Sequence, residues 1–250
     1  MPKFFPSISP ELGEWALKQP VFFTGSAPIA GRHVNISPKG LPSSTFTIFS
    51  PNSCGYMDAT GSGAETISHI YENRRCTIMF CSFGPSPRIM RFFCTGRVVE
   101  WDTPEFEVLL GKMGKKRIDA ARAIIMLDVW KVQTSCGYGV PKLTTSSLGD
   151  TEKGYEAAFL DRDTLGHWAS NKVERNEVTE YRLMNNTWSL DGIPGLMSAR
   201  RDSGQWLWIE DGKAFLRRAN SQPGTLVVGI IIGVLLSLFV QLVRNYLYTA

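Results

Sequence analysis

"PRIMRFFCTGRVVE", residues 87–100, alternates two kinds of side chain along its length. In an extended chain Arg91, Phe93, Thr95 and Arg97 share one face, and Met90, Phe92, Cys94 and Gly96 share the other. That period of two is the signature of a strand with one buried side. Runs of similar texture flank it at 21–24, 33–37, 45–49, 54–58, 76–82 and 123–132. Many strands spaced by about ten residues, with few helices between them, predict an antiparallel barrel rather than a βαβ sheet.

Helices punctuate this pattern. Ser9 and Pro10 form the cap and first turn of one that carries Leu12, Trp15 and Ala16 and ends by Pro20. Short helices are expected after Gly63 and from Thr103–Pro104. Within "HVNISPKG", residues 33–40, Val34 and Ile36 oppose Asn35 and Ser37, and Pro38 is expected to stop the strand where Lys39 is presented. Beyond Pro141 the texture changes. Residues 146–154 read as a loop, 163–184 as polar helix, 188–196 as a Pro/Gly-rich turn, and Trp206, Leu207, Trp208 and Ile209 as one more strand.

A chain of 250 residues, 43% hydrophobic and 20% charged, is long enough for one well-buried domain with an accessory element. Its net charge of +4 is scattered among nearly equal numbers of acids and bases, without a basic block, so no nucleic-acid partner is expected. The cysteines, Cys54, Cys76, Cys81, Cys94 and Cys136, are odd in number and lack a C-x-x-C pair. This speaks against a disulfide framework or a zinc site and for buried thiols in a reducing compartment.

Residues 225–243, "TLVVGIIIGVLLSLFVQLV", form an apolar stretch of about the length a helix needs to cross a hydrocarbon core, roughly 20 residues. The segment predicts a single-pass tail anchor with a cytosolic amino-terminal body. Lys213, Arg217 and Arg218 before it outnumber Arg244 after it, which agrees with that orientation. The endoplasmic reticulum is favoured over the outer mitochondrial membrane by how apolar the span is. Gly229 and Gly233 give it a small-xxx-small face. The domain layout expected is therefore a barrel over 1–141, an extension and linker over 142–224, and a transmembrane segment over 225–243.

"TGSGAET", residues 60–66, lies between a strand and a helix and offers hydroxyls and a helix amino terminus, a combination that can hold a phosphate. An ordinary capped turn has the same composition. Arg91 on its strand can pair with a phosphate through two N–H groups, or it can simply face solvent. The three histidines are isolated in sequence, and no nucleophile elbow, metal motif or carboxylate cluster nominates a catalytic or metal-binding residue.

Taken as an ordered set, "HVNISPKG", "TGSGAET", "YENRRCTIMF", "RIMRFFCTGRV", "AIIMLDVWKV" and "TSCGYGVP" make the chain, from about residue 20 to 141, resemble the pyridoxamine 5'-phosphate oxidase-like family, the FMN-binding split barrels. The resemblance implies a mainly β fold with short helices, here followed by a C-terminal helical extension and one transmembrane helix. It also implies a homodimer with FMN in the groove between two barrels. Carried over by position, Ser37, Lys39, Thr60, Ser62, Thr66 and Arg91 would bind the cofactor. Many members have an Arg-Lys pair where this chain has Glu65 and Thr66, and the substrate segment of true pyridoxamine phosphate oxidases is replaced by a different tail, so activity on a pyridoxal-type substrate is not expected. Two functions remain open. One is a membrane-tethered FMN-dependent oxidoreductase; the other is a non-catalytic binder of FMN, haem or deazaflavin, or a ligand-free scaffold.

Overall fold

Alternating burial along each strand builds the first part of the molecule. β1 (Lys3–Phe5), α1 (Pro10–Leu17), β2 (Val21–Ser26), β3 (Asn35–Gly40), α2 (Pro42–Thr45), β4 (Phe46–Ser50), β5 (Ser53–Ala59) and α3 (Glu65–Asn73) follow in order. Then come β6 (Arg75–Cys81), β7 (Ile89–Glu100), α4 (Pro104–Met113), β8 (Ala121–Ser135), β9 (Lys142–Leu143) and β10 (Phe159–Leu160). The computed structural model describes residues 2–143, 159–160, 164–220 and 223–249. It divides into two compact units, Met1–Leu165 and Gly166–Ala250.

In the first unit an antiparallel sheet runs in the order β3-β2-β6-β7-β8-β5-β4, with β1 added to β8. The sheet curls. Phe22 of β2 and Phe46 of β4 stand near opposite ends of the ladder, yet their rings are 5.2 Å apart, and Phe22 meets Tyr56 at 5.3 Å. The enclosed core also holds Phe80, Met90, Phe92, Ile125 and Leu127, all on inward positions. Burial of such aromatic side chains, about 1.5–3 kcal/mol each, is what drives the sheet to bend back on itself. α1 closes the core with Leu12 and Ala16, and Ser9 Oγ accepts from the Leu12 amide at 3.4 Å as its cap. On the other face α4 lays Phe106, Leu109 and Met113 over Met57, Val99 and Ile124.

This curled, mainly β half-barrel with helices fits the split-barrel fold that the ordered motifs imply. One local expectation is corrected. β3 does not stop at Pro38 but runs through it to Gly40, with Pro38 opposite Phe23 of β2. β3 is an edge strand, and an edge leaves backbone N–H groups without ladder partners, so a residue lacking one is tolerated there.

The second unit is helical. α5 (Thr164–Glu174) and α6 (Val178–Asn186) pack through Trp168 against Tyr181 at 4.9 Å, and a Trp188–Pro194 bridge closes the expected turn at 188–196. α7 (Met197–Asp202), α8 (Leu207–Asn220) and α9 (Pro223–Thr249) follow. Residues 206–209, expected as a strand, are instead the entry and first turn of α8, because Ile209 and Glu210 donate back to the Trp206 carbonyl at 3.0 and 3.2 Å. The loop expected at 146–154 lies outside the described residues.

The transmembrane span expected at 225–243 falls within α9. Among the described residues no helix is long and apolar enough to cross a membrane. The side chains of Thr225, Leu226, Leu242 and Val243 lie outside the described residues. Those from Val227 to Gln241 are all exposed.

Candidate functional site

The inner face of the curled sheet turns polar at β3. Asn35, Ser37 and Lys39 alternate with exposed Ile36, Pro38 and Gly40, and their ladder partners on β2 are buried Ser26, Thr24 and Phe22. Lys39 lies over the Tyr56 ring, 5.7 Å from its centroid, and its Nζ is 2.6 Å from Asp58 Oδ1. Asp58 continues the inward row of Cys54 and Tyr56 along β5 and is only 1% exposed. Burying a carboxylate at such a position is costly unless it is paired.

Its second partner comes from β8. The β5–β8 register passes from Asp58 opposite Ala123 to Ala59 opposite Ala121, leaving Arg122 as an extra residue. A bulge of this kind re-aims a side chain. Arg122 turns toward Asp58, donating from Nε to Oδ2 at 2.7 Å and from a terminal nitrogen to the Gly63 carbonyl at 2.7 Å. Each oxygen of Asp58 thus holds one cation. Two cations surround one buried carboxylate, with Lys39 and Arg122 partly open to solvent.

The turn before α3 meets this cluster through the Gly63 link. Thr66 is buried and accepts from Asn35 Nδ2 at 3.0 Å, and the same amide nitrogen lies 3.1 Å from Ser37 Oγ. Thr60 Oγ1 donates to the Ala120 carbonyl at 2.9 Å, and Ser62 is exposed. Glu65, exposed in the first turn of α3, complements the helix dipole and competes with any anion placed there. Nearby, Ser26 Oγ and His69 Nδ1 are 3.0 Å apart in buried surroundings, and the His33 ring lies 5.6 Å from that of His69. Histidines far apart in sequence therefore meet in the fold.

The fold thus links Ser37, Lys39 and Thr66 into one polar row, with Thr60 and Ser62 on the adjoining turn. Arg91 stands elsewhere. It is flanked in the ladder by Met79 and Gln133, donates to Gln133 Oε1 at 3.3 Å, and lies on the face of β7 opposite the buried Met90 and Phe92. It does not converge with Lys39.

Asn35, Asp58 and Arg122 are the site residues that motif inspection misses. An acid on an inward strand position, next to Tyr56, was the available signal for Asp58. Arg122 carries none, because only the bulge brings it inward. Burial pushes the Tyr56 phenol far above its usual range, so it serves here as a neutral ring and hydroxyl. Among the described residues no group of three His, Cys, Asp or Glu side chains could hold a metal ion.

The chain is 45% identical over 248 residues to the pyridoxamine 5'-phosphate oxidase family protein ustO of Aspergillus flavus, covering 99% of each. Among solved structures, HupZ of Group A Streptococcus superposes with a TM-score of 0.40 at 19% identity, over 50% of this chain and 91% of its own. An FMN-binding protein of Syntrophomonas wolfei superposes with a TM-score of 0.36 at 14% identity, over 49% and 84%. No protein-family model matches the chain.

Proposed function

The chain belongs to the pyridoxamine 5'-phosphate oxidase family, and on that premise we propose that it binds FMN, with Lys39 and Arg122 receiving the phosphate, and acts as a membrane-tethered flavin-dependent oxidoreductase. The observation that carries the proposal is the pair of partly exposed cations fixed on buried Asp58 beside the hydroxyl-rich turn of α3. A dianionic phosphate suits two partly exposed cations held in place before the ligand arrives. Arg122 reaches the same turn that holds Glu65 and Thr66, and so supplies a cation where the usual Arg-Lys pair is missing. Ser37, Thr60, Ser62 and Thr66 add hydroxyls around it. Asp58 orients the two cations and does not itself meet the ligand.

When bound, the flavin supplies hydride or electron transfer, and the protein supplies binding and orientation. Arg91, on the outer face with Gln133, stands in this proposal at the groove between two paired copies. Pairing is supported by the exposed Val34 and Ile36 beside and along edge strand β3, an apolar row that a second barrel would cover. Tethering through 225–243, with the barrel in the cytosol, is supported by the run of exposed apolar side chains from Val227 to Val240 on α9.

The test is a spectrum. Full-length protein purified in detergent and incubated with FMN is expected to retain a flavin chromophore through gel filtration and to lose its colour anaerobically with a reduced nicotinamide. No retained flavin at saturating FMN overturns the proposal. A retained flavin that no reduced nicotinamide bleaches overturns the oxidoreductase half and leaves a non-catalytic binder.

A further inference from the structure

α8 has an apolar stripe that points the wrong way for a helix of a water-soluble bundle. At 100° per residue Trp208, Gly212, Phe215 and Leu216 fall on one side of the helix, whereas Glu210 and Lys213 fall on the other. Such a stripe ordinarily packs against a neighbour. Here Trp208 is 71% exposed, and Phe215 and Leu216 are each 67% exposed. Trp206, just before the helix, is 67% exposed, and its ring lies 6.2 Å from that of Trp208.

What holds α8 in place is polar. Arg200 of α7 is almost fully buried, and it donates to Asp211 Oδ1 at 2.8 Å and to the Leu207 carbonyl at 3.4 Å. This ion pair fixes the rotation of α8 against α7 and leaves the aromatic stripe facing outward.

We infer that α8 lies in the headgroup layer of a lipid bilayer, its aromatic stripe against the acyl boundary, as a surface-seated helix preceding α9. The inference rests on the membrane tether proposed above. Three observations choose a bilayer as the occupant. α8, ending at Asn220, and α9, beginning at Pro223, are consecutive helices, so the stripe lies on the helix that leads into the exposed apolar run on α9. Two indoles, each an apolar body with one polar N–H edge, suit the depth at which hydrocarbon meets water. The helix also contains Lys213, Arg217 and Arg218 against Glu210 and Asp211, a cationic surplus that anionic lipid headgroups would complement.

The experiment uses the full chain carrying Cys136→Ser, reconstituted into vesicles of phosphatidylcholine with phosphatidylserine. One environment-sensitive fluorophore is attached at Phe215→Cys, Lys213→Cys or Val234→Cys. The expected result is loss of quenching by an aqueous quencher at 215, with quenching gained from lipids brominated near the headgroup. The label at 213 keeps its aqueous quenching, and that at 234 is quenched by deeply brominated lipids. An aqueous label at 215 with a deep label at 234 overturns the inference and leaves the tether standing. Aqueous labels at both positions overturn the two together. A label at 215 shielded from water but untouched by brominated lipid overturns it in favour of a protein cover. Should Phe215→Cys fail to fold, Leu216→Cys repeats the measurement on the same stripe.

Discussion

Replacing Arg122 by alanine removes one cation from the site without stranding its partner. Asp58 keeps Lys39 at 2.6 Å, so no buried charge is left unpaired and the barrel is expected to fold. Of the five N–H donors of Arg122, Asp58 and the Gly63 carbonyl each take one. The others have no hydrogen-bond partner among the described residues and, in this proposal, meet the phosphate. A hydrogen bond to a charged group contributes about 1.5–3 kcal/mol. At about 1.4 kcal/mol per tenfold, Arg122→Ala should raise the FMN dissociation constant roughly 10- to 140-fold. Riboflavin has no phosphate, so its affinity should stay within about twofold of wild type. Arg122→Lys restores the charge but not the planar fork, and should fall between the two. The assay is fluorescence titration of wild type and both variants with FMN and with riboflavin. Unchanged FMN binding in Arg122→Ala, or equal weakening of both ligands, would refute the assignment of Arg122 to the phosphate.

Three further outcomes follow from the packing. A Cβ at Gly137 would sit 2.6 Å from the backbone nitrogen of Arg88, so Gly137→Ala should cost about 1–3 kcal/mol and lower the thermal midpoint; an unchanged midpoint would show that the 88 and 137 segments are not held together. Native protein should react with a maleimide at Cys136 and far more slowly at the buried Cys54, Cys76, Cys81 and Cys94, as counted by mass spectrometry before and after denaturation. Burial raises the thiols of Cys81 and Cys94 and the phenol of Tyr56, and a hydrogen bond to Cys94 together with burial raises Cys76. These groups ionise more easily in the unfolded chain. Stability should therefore be full below about pH 8.5, the ordinary thiol value, and fall as pH rises above it. A thermal midpoint equal at pH 8 and pH 10 would contradict this.

Most of the barrel could be read from local chemistry, because alternating strands such as 76–82 and 89–99 carry their own period and helices such as α1 announce themselves by a cap and a proline. The failures share a cause: each depends on a partner that local sequence cannot show. Pro38 ends a strand by its own preference and is rescued by its edge position. Trp206, Leu207, Trp208 and Ile209 are four apolar residues in a row, compatible with either period, and become helical through backbone bonds to the Trp206 carbonyl. β1 gains its order from β8, far along the chain. The site divides in the same way. Lys39, Ser37 and Thr66 stand in a recognisable order of motifs, whereas Arg122 enters through a register shift that leaves no trace in composition.

β8 also constrains how the chain is made. One edge of this fifteen-residue strand is taken by β7, and the other is shared by β5 and, beyond it, β1. On a ribosome, β1, β5 and β7 all emerge before the strand that joins them, so the nascent chain carries three open edges until residue 135 is out. Only then can β8 join them. About ninety residues remain before α9 begins, and at about 5–20 residues per second they take roughly 5–20 s to synthesise. Placing β8 last in the barrel and α9 far behind it gives the sheet that interval to seal its edges before the most apolar segment of the chain exists.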